Sequence, residues 1–120
     1  MYLGRDFSPQ EFNESEVFGM DFVNDLDDGE QLITSSWTIS VTQGKDANPS
    51  VHLEGPSGVA IPLGSNLKTA TIQRIGGLWA NVTYKVEATV VTDRANTRSM
   101  WTHIRGVTGK RLPGVLEGGL

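Results

Sequence analysis

A leucine six residues ahead of a tyrosine that opens a strictly alternating run is the feature that most restricts the fold of this chain. The run is Leu78-Trp79-Ala80-Asn81-Val82-Thr83-Tyr84-Lys85-Val86-Glu87-Ala88-Thr89-Val90. Val82, Tyr84, Val86, Ala88 and Val90 share one parity, and Thr83, Lys85 and Glu87 share the other, which is the period of a strand with one wet face. A tyrosine at such an entry buries its ring and returns its hydroxyl to backbone just upstream, so it turns one corner of a two-sheet sandwich. An ordinary tyrosine in an ordinary strand is the plain alternative; the leucine spacing and the strand period together favour the corner. Leu78 and Tyr84 are therefore expected in the core.

With 120 residues the chain reads as one domain, able to bury about two-thirds of the surface it would expose unfolded. It has no cysteine, which removes inter-sheet disulfides, thiolate metal sites and thiol nucleophiles. A sandwich made from it is held by packing alone. No apolar run approaches the ~20 residues that cross a bilayer, and Met1-Tyr2-Leu3-Gly4-Arg5-Asp6 lacks the profile of a signal peptide. The reading is a chain made and used without export, with no membrane partner.

The formal charge of −4 hides a polarity along the chain. Residues 1–30 hold nine acids (Asp6, Glu11, Glu14, Glu16, Asp21, Asp25, Asp27, Asp28, Glu30) against Arg5 alone, which leaves −8; the remainder has nine basic and five acidic residues, which leaves +4. Such a split suits either head-to-tail contact between copies or a solvated acidic segment. Nucleic acid is disfavoured as a partner, because no clustered Lys/Arg stripe offers the phosphate neutralisation that dominates such affinity.

Residues 1–16 mix Gly4, Pro9 and acids with Phe7 and Phe12 and read as an extended N-terminal arm carrying two aromatic anchors. Residues 17–24 alternate around Phe18, Met20 and Phe22 as a first strand, closed by an Asp27-Asp28-Gly29 turn. Residues 31–42 form a second, with Ile33, Ser35, Trp37, Ile39 and Val41 on the core face, so that Trp37 sits in the core. After a polar loop at 44–49, Val51-His52-Leu53 reads as a short strand and Gly55-Pro56-Ser57-Gly58 as a breaker; 69–75 is a strand ahead of the Gly76-Gly77 corner. The Tyr84 strand, a hairpin loop at Asp93-Arg94-Ala95-Asn96 and a last strand over 97–105 complete about seven strands. Turn signals every 8 to 15 residues and no helical period predict an all-β sandwich of immunoglobulin or fibronectin type III kind over residues 17–105, with an irregular C-terminal tail over 106–120.

No catalytic constellation stands out: there is no nucleophile elbow, phosphate loop or zinc-protease motif, and His52 and His103 read as exposed strand residues. The carboxylates of Asp25-Leu26-Asp27-Asp28-Gly29-Glu30 are spaced closely enough to suggest calcium, but the other ligands of a calcium loop are missing, so the segment reads as an acidic turn with no metal. The reading is no enzyme, no cofactor.

The run Phe18-Gly19-Met20-Asp21-Phe22, then Gly29-Glu30-Gln31-Leu32-Ile33-Thr34-Ser35-Ser36-Trp37-Thr38-Ile39, then Gly76-Gly77-Leu78, Tyr84, Ala88-Thr89-Val90 and Asp93, resembles the fibre-tail adaptor proteins of tailed bacteriophages. The resemblance covers roughly residues 9–105. It implies a small immunoglobulin-like domain in the virion tail, made in the host bacterial cytoplasm, several copies sitting around the tail axis and attaching tail fibres to the tail tube or nozzle. It brings no catalytic or cofactor residues. The residues themselves suggest where partners are met: Phe7 and Phe12 in the N-terminal arm, Trp101 in the last strand, and Lys110, Arg111 and Leu112 in the tail. A carbohydrate-binding sandwich is the competing reading, with Trp79 and Trp101 as the aromatics on which sugar would stack.

Overall fold

Alternating wet and dry side chains carry most of the chain into strands. The computed structural model describes residues 1–64 and 66–108, and among these it has seven: β1 (Gln10–Glu11), β2 (Ser15–Asp21), β3 (Leu32–Gln43), β4 (Leu53–Pro62), β5 (Lys68–Gly76), β6 (Thr83–Thr92) and β7 (Thr97–Val107). The described residues contain no α-helix, only two 3-10 turns at Val23–Asp25 and Pro49–His52. The protein is all-β, with one sheet in the order β1-β7-β6-β3 and another in the order β2-β5-β4. Every pairing is antiparallel except β1 with β7.

The core lies between the sheets. β6 keeps the parity read from sequence, with Tyr84, Val86, Ala88 and Val90 fully buried, and Leu78 is equally buried beneath the corner. Trp37 and Ile39 of β3 and Met100 and Ile104 of β7 join them, opposite Met20, Phe22 and Ile75. Trp37 also ties the layers together, its Nε1–H donating to Thr71 Oγ1 of β5 at 2.9 Å.

Three strand readings change in the structure. Ile33, expected on the core face, is exposed and Leu32 takes its place, because a bulge between Leu32 and Thr34 shifts the parity at the start of β3. The expected strand at 51–53 is instead the end of a 3-10 turn leading into β4, and the breaker at 55–58 lies inside β4 as a bulge between Glu54 and Val59. Gly58 makes this bulge possible: its φ is 65°, and a Cβ there would come within 2.7 Å of Ser35 Oγ and 2.9 Å of Trp37 Cδ1. Lastly, the strand expected over residues 17–24 is β2, running from Ser15 to Asp21, and β7 runs on to Val107.

The N-terminal segment, read as an extended arm, lies along its own domain. Trp101 N–H donates to Met1 O at 2.8 Å, Leu3 N–H to Trp101 O at 2.8 Å and Phe7 N–H to His103 O at 3.0 Å, before β1 pairs with Gly106 and Val107. The edge of β7 would otherwise present unpaired backbone groups. Phe7 stacks on Phe18 at 4.6 Å and faces Trp37 at 6.3 Å, so it packs against the core of its own chain. Gln10, completely buried, donates from Nε2 to Ile75 O at 2.8 Å and links the segment to the second sheet. Phe7, expected as a partner contact, is thus partly buried and packs against the core of its own chain.

The acidic turn contains a second correction. Glu30 is 1% exposed, and its carboxylate accepts from Asp27 N–H at 2.8 Å, Asn96 Nδ2 at 2.8 Å and Thr92 Oγ1 at 2.5 Å, joining the β2–β3 connection to the β6–β7 hairpin. The Thr92 hydroxyl first, then the Asp27 amide and the Asn96 side chain, hold it well below the usual carboxylate range, at about 2. A carboxyl depressed on folding adds stability above its unfolded pKa and loses it as pH falls toward its folded one. The melting temperature should therefore drop between about pH 4.5 and pH 2, and Glu30→Gln, less stable at neutral pH, should show a shallower drop in thermal melts over that window. Identical pH profiles would remove Glu30 from the acid sensitivity.

Candidate functional site

The corner that begins at Leu78 gathers the only buried polar cluster that involves a histidine among the described residues. Tyr84 Oη donates to Asp46 Oδ2 at 2.7 Å and accepts from Trp79 N–H at 3.1 Å, the upstream backbone contact expected of a corner tyrosine. His52 Nε2 lies 2.7 Å from Asp46 Oδ2 and its Nδ1 lies 3.0 Å from Gly76 O, while its ring stands edge-on to Tyr84 at 5.5 Å. His52 is 4% exposed, so the expectation of an exposed strand residue is corrected. Gly76 ends β5 directly below, and the polar loop and 3-10 turn bring Asp46 and His52 over it.

A carboxylate, an imidazole and a phenol in hydrogen-bonded contact have the elements of a proton relay, but their orientation points to a lock. Burial raises the Tyr84 phenol far above its usual range, and the Asp46 hydrogen bond adds to this, so the hydroxyl stays protonated. Burial works to raise the Asp46 carboxyl too, yet hydrogen bonds from Tyr84, His52 and the Asn48 amide together hold it below its ordinary value. The cluster pins the loop at 44–49 to the corner. Tyr84→Phe should leave the Trp79 amide and the Asp46 carboxylate each short of a partner and cost about 1–3 kcal/mol, read as a shift in denaturant midpoint at unchanged slope; an unaltered midpoint would discount the lock.

The same corner presents surface aromatics. Trp79 is 55% exposed and Phe12 is 61% exposed; their rings meet edge-to-face at 6.1 Å. Beside Phe12, a hollow of about 230 Å³ is lined by Glu11, Asn13, Ala80, Val107 and Thr108. Gly106 allows this placement: a Cβ there would lie 1.8 Å from Trp79 O. Phe12 therefore remains on the surface as expected, with Trp79 as its neighbour.

Trp101 occupies a separate place on the outer face of β7. The inward parity of Met100, Thr102 and Ile104 holds, leaving Trp101 and His103 outward. Trp101 is half-buried, tilted against Tyr2 at 4.9 Å and His103 at 5.3 Å, with the Lys85 ammonium 4.9 Å over its ring. Five residues of strand separate it from the Trp79 end at Gly106, roughly 16 Å, so the two tryptophans do not form one platform. Lys110, Arg111 and Leu112 lie outside the described residues. Sequence gave no sign of Asp46 or Gln10, since neither sits in a periodic segment; the pairing of Phe12 with Trp79 needs the chain to return to the corner.

Among the described residues no three His, Asp or Glu side chains are placed to share a metal ion, and no helix is long and apolar enough to cross a membrane. Comparison with protein-family models, curated proteins and solved structures returns no match.

Proposed function

We propose that this chain is a structural virion protein of a tailed bacteriophage, an immunoglobulin-like adaptor that attaches tail fibres to the tail tube or nozzle through protein–protein contacts, with other copies of itself around the tail axis. The sequence resemblance supplies the role. The strand orders β1-β7-β6-β3 and β2-β5-β4, a tyrosine corner ahead of β6 and a buried tryptophan on β3 support the immunoglobulin-type assignment.

The observation that carries the assembly reading is the exposed Phe12–Trp79 pair, two large apolar rings held at one end of a rigid frame by Gly106 and the corner. Anchors of this kind dominate protein interfaces. The test mixes the purified chain with tail tube, nozzle and fibre proteins and reads complex mass and affinity. Phe12→Ala and Trp79→Ala should each weaken the complex at least about tenfold and leave the melting temperature almost unchanged. Wild-type affinity in both variants would remove this end of the domain from the interface.

The same pair favours a second reading, a carbohydrate-binding module, since adjacent exposed rings are what sugar stacking requires. A glycan array separates the two: saturable glycan binding lost in Trp79→Ala, with no complex formed with tail proteins, would replace the adaptor reading.

A further inference from the structure

The two sheets meet at β3 and β4, where Gly58 lies against Ser35, so β2 and the N-terminal segment share the opposite side of the sandwich, with Phe7 stacked on Phe18. On that side the layers are unequal. The first sheet runs on through β7 to β1 and the segment ahead of it, whereas the second stops at β2. Phe22 N–H donates to Thr69 O at 2.9 Å and Gly77 N–H to Glu14 O at 3.0 Å, and the register between them is unbroken. Even-numbered residues of β2 therefore bond β5, and odd-numbered ones aim their backbone groups away. Arg74 caps the Ser15 carbonyl, which leaves Val17, Gly19 and Asp21 without a backbone partner across this edge among the described residues. Exposed strand edges are usually blunted. β4 has Pro56, Pro62 and a bulge, and β7 is covered by the N-terminal segment, but β2 has neither proline nor bulge.

We propose that the edge at residues 17–21 takes an extended strand from another protein, added as the fourth strand of the second sheet. Backbone pairing gives such a contact its affinity, and alternate side chains give it specificity. Inward-facing residues of the added strand meet Leu3, Phe7 and Phe18, which pack against the core and are only partly buried, so apolar side chains are required there. A hollow of about 360 Å³ at this edge, lined by Leu3, Arg5, Gly19, Met20 and Asp21 among others, leaves room for them. Outward-facing residues lie beside Val17 and Asp21. β2 carries Glu16 and Asp21 and no basic residue, and Arg74 is held by Ser15, so a lysine opposite the exposed Asp21 complements the edge. A second copy's β2 would instead add two further carboxylates. The occupant is thus a foreign strand, apolar inward and cationic outward. It is the same whichever protein supplies it, so this inference stands apart from the adaptor reading and can fail without it.

The test uses the full chain and a short capped peptide of alternating lysine and valine. In the protein alone, the amides of Val17, Gly19 and Asp21 should exchange with solvent at least about a hundredfold faster than those of Phe18, Met20 and Phe22. Adding the peptide should slow the first three at least about tenfold and shift their NMR signals saturably, while a peptide of alternating glutamate and valine should do neither. Gly19→Pro removes a donor that β5 does not use, so it should abolish the peptide effect with little change in melting temperature. Asp21→Lys, which leaves the backbone intact, should reverse the preference between the two peptides. Slow exchange at all six amides of the protein alone, no saturable change with the lysine peptide, changes confined to Phe12 and Trp79, or an unaltered preference in Asp21→Lys would each overturn the proposal. Slow exchange together with a solution mass of twice the chain would overturn it in favour of a second copy.

Discussion

Trp37→Ala should lower stability by about 3–5 kcal/mol, the cost of emptying a large core site, and thereby remove a large part of a typical domain's stability. Trp37 is 3% exposed, and its loss has three consequences at once. The indole no longer fills the space between the sheets, Thr71 Oγ1 loses the Nε1–H donor, and Phe7 loses the ring it faces at 6.3 Å. Ser35 Oγ also contacts Thr71 Oγ1 at 2.8 Å, so the threonine keeps one partner and the main loss is volume. Equilibrium denaturation at neutral pH measures it. A change below about 1 kcal/mol would place Trp37 outside the packed core, since such losses belong to surface sites.

Removing residues 1–11 should lower the melting temperature by about 10 °C or more. Phe7 and Gln10 each contribute on the order of 1–3 kcal/mol through apolar burial and a buried hydrogen bond, and each kcal/mol is worth about 4–8 °C in a domain of this size. The deletion also bares the edge of β7 and the side of the core where Phe7 rests on Phe18. Two point variants locate the effect: Phe7→Ala should reproduce a good part of it, whereas Phe12→Ala, with a ring that is 61% exposed, should not. A truncated chain that melts with the wild type would show that residues 1–11 add nothing to the stability of the fold.

These two expectations differ in where they come from. The core position of Trp37 follows from parity along residues 31–42, because a strand facing both core and solvent must alternate. Tyr84 and Leu78 follow from the corner spacing in the same way. The interior of β6 was legible for that reason, and so was the hairpin at residues 93–96, where Asp and Asn suit a tight turn. Ile33 shows the limit of parity, since one bulge inverts it and nothing in Leu32-Ile33-Thr34 announces the bulge.

The surface was less legible. Phe7 and Phe12 look alike in sequence, both large rings in a polar segment, yet one packs partly buried against the core and the other pairs with Trp79 on the surface. His52 and Glu30 looked like solvated residues and are buried, because their partners Asp46, Gly76, Thr92 and Asn96 come from other parts of the chain. The sequence by itself determined the all-β character, the seam of core residues along β3 and β6, and the corner, all of which rest on period and turn chemistry within a few residues. Only the tertiary structure decided that the N-terminal segment closes the β7 edge, that Gly106 yields space to Trp79, and which acid and which histidine are buried. Those outcomes depend on contacts between residues far apart in the chain, and a local pattern carries no information about which distant group will satisfy a hydrogen bond or fill a gap.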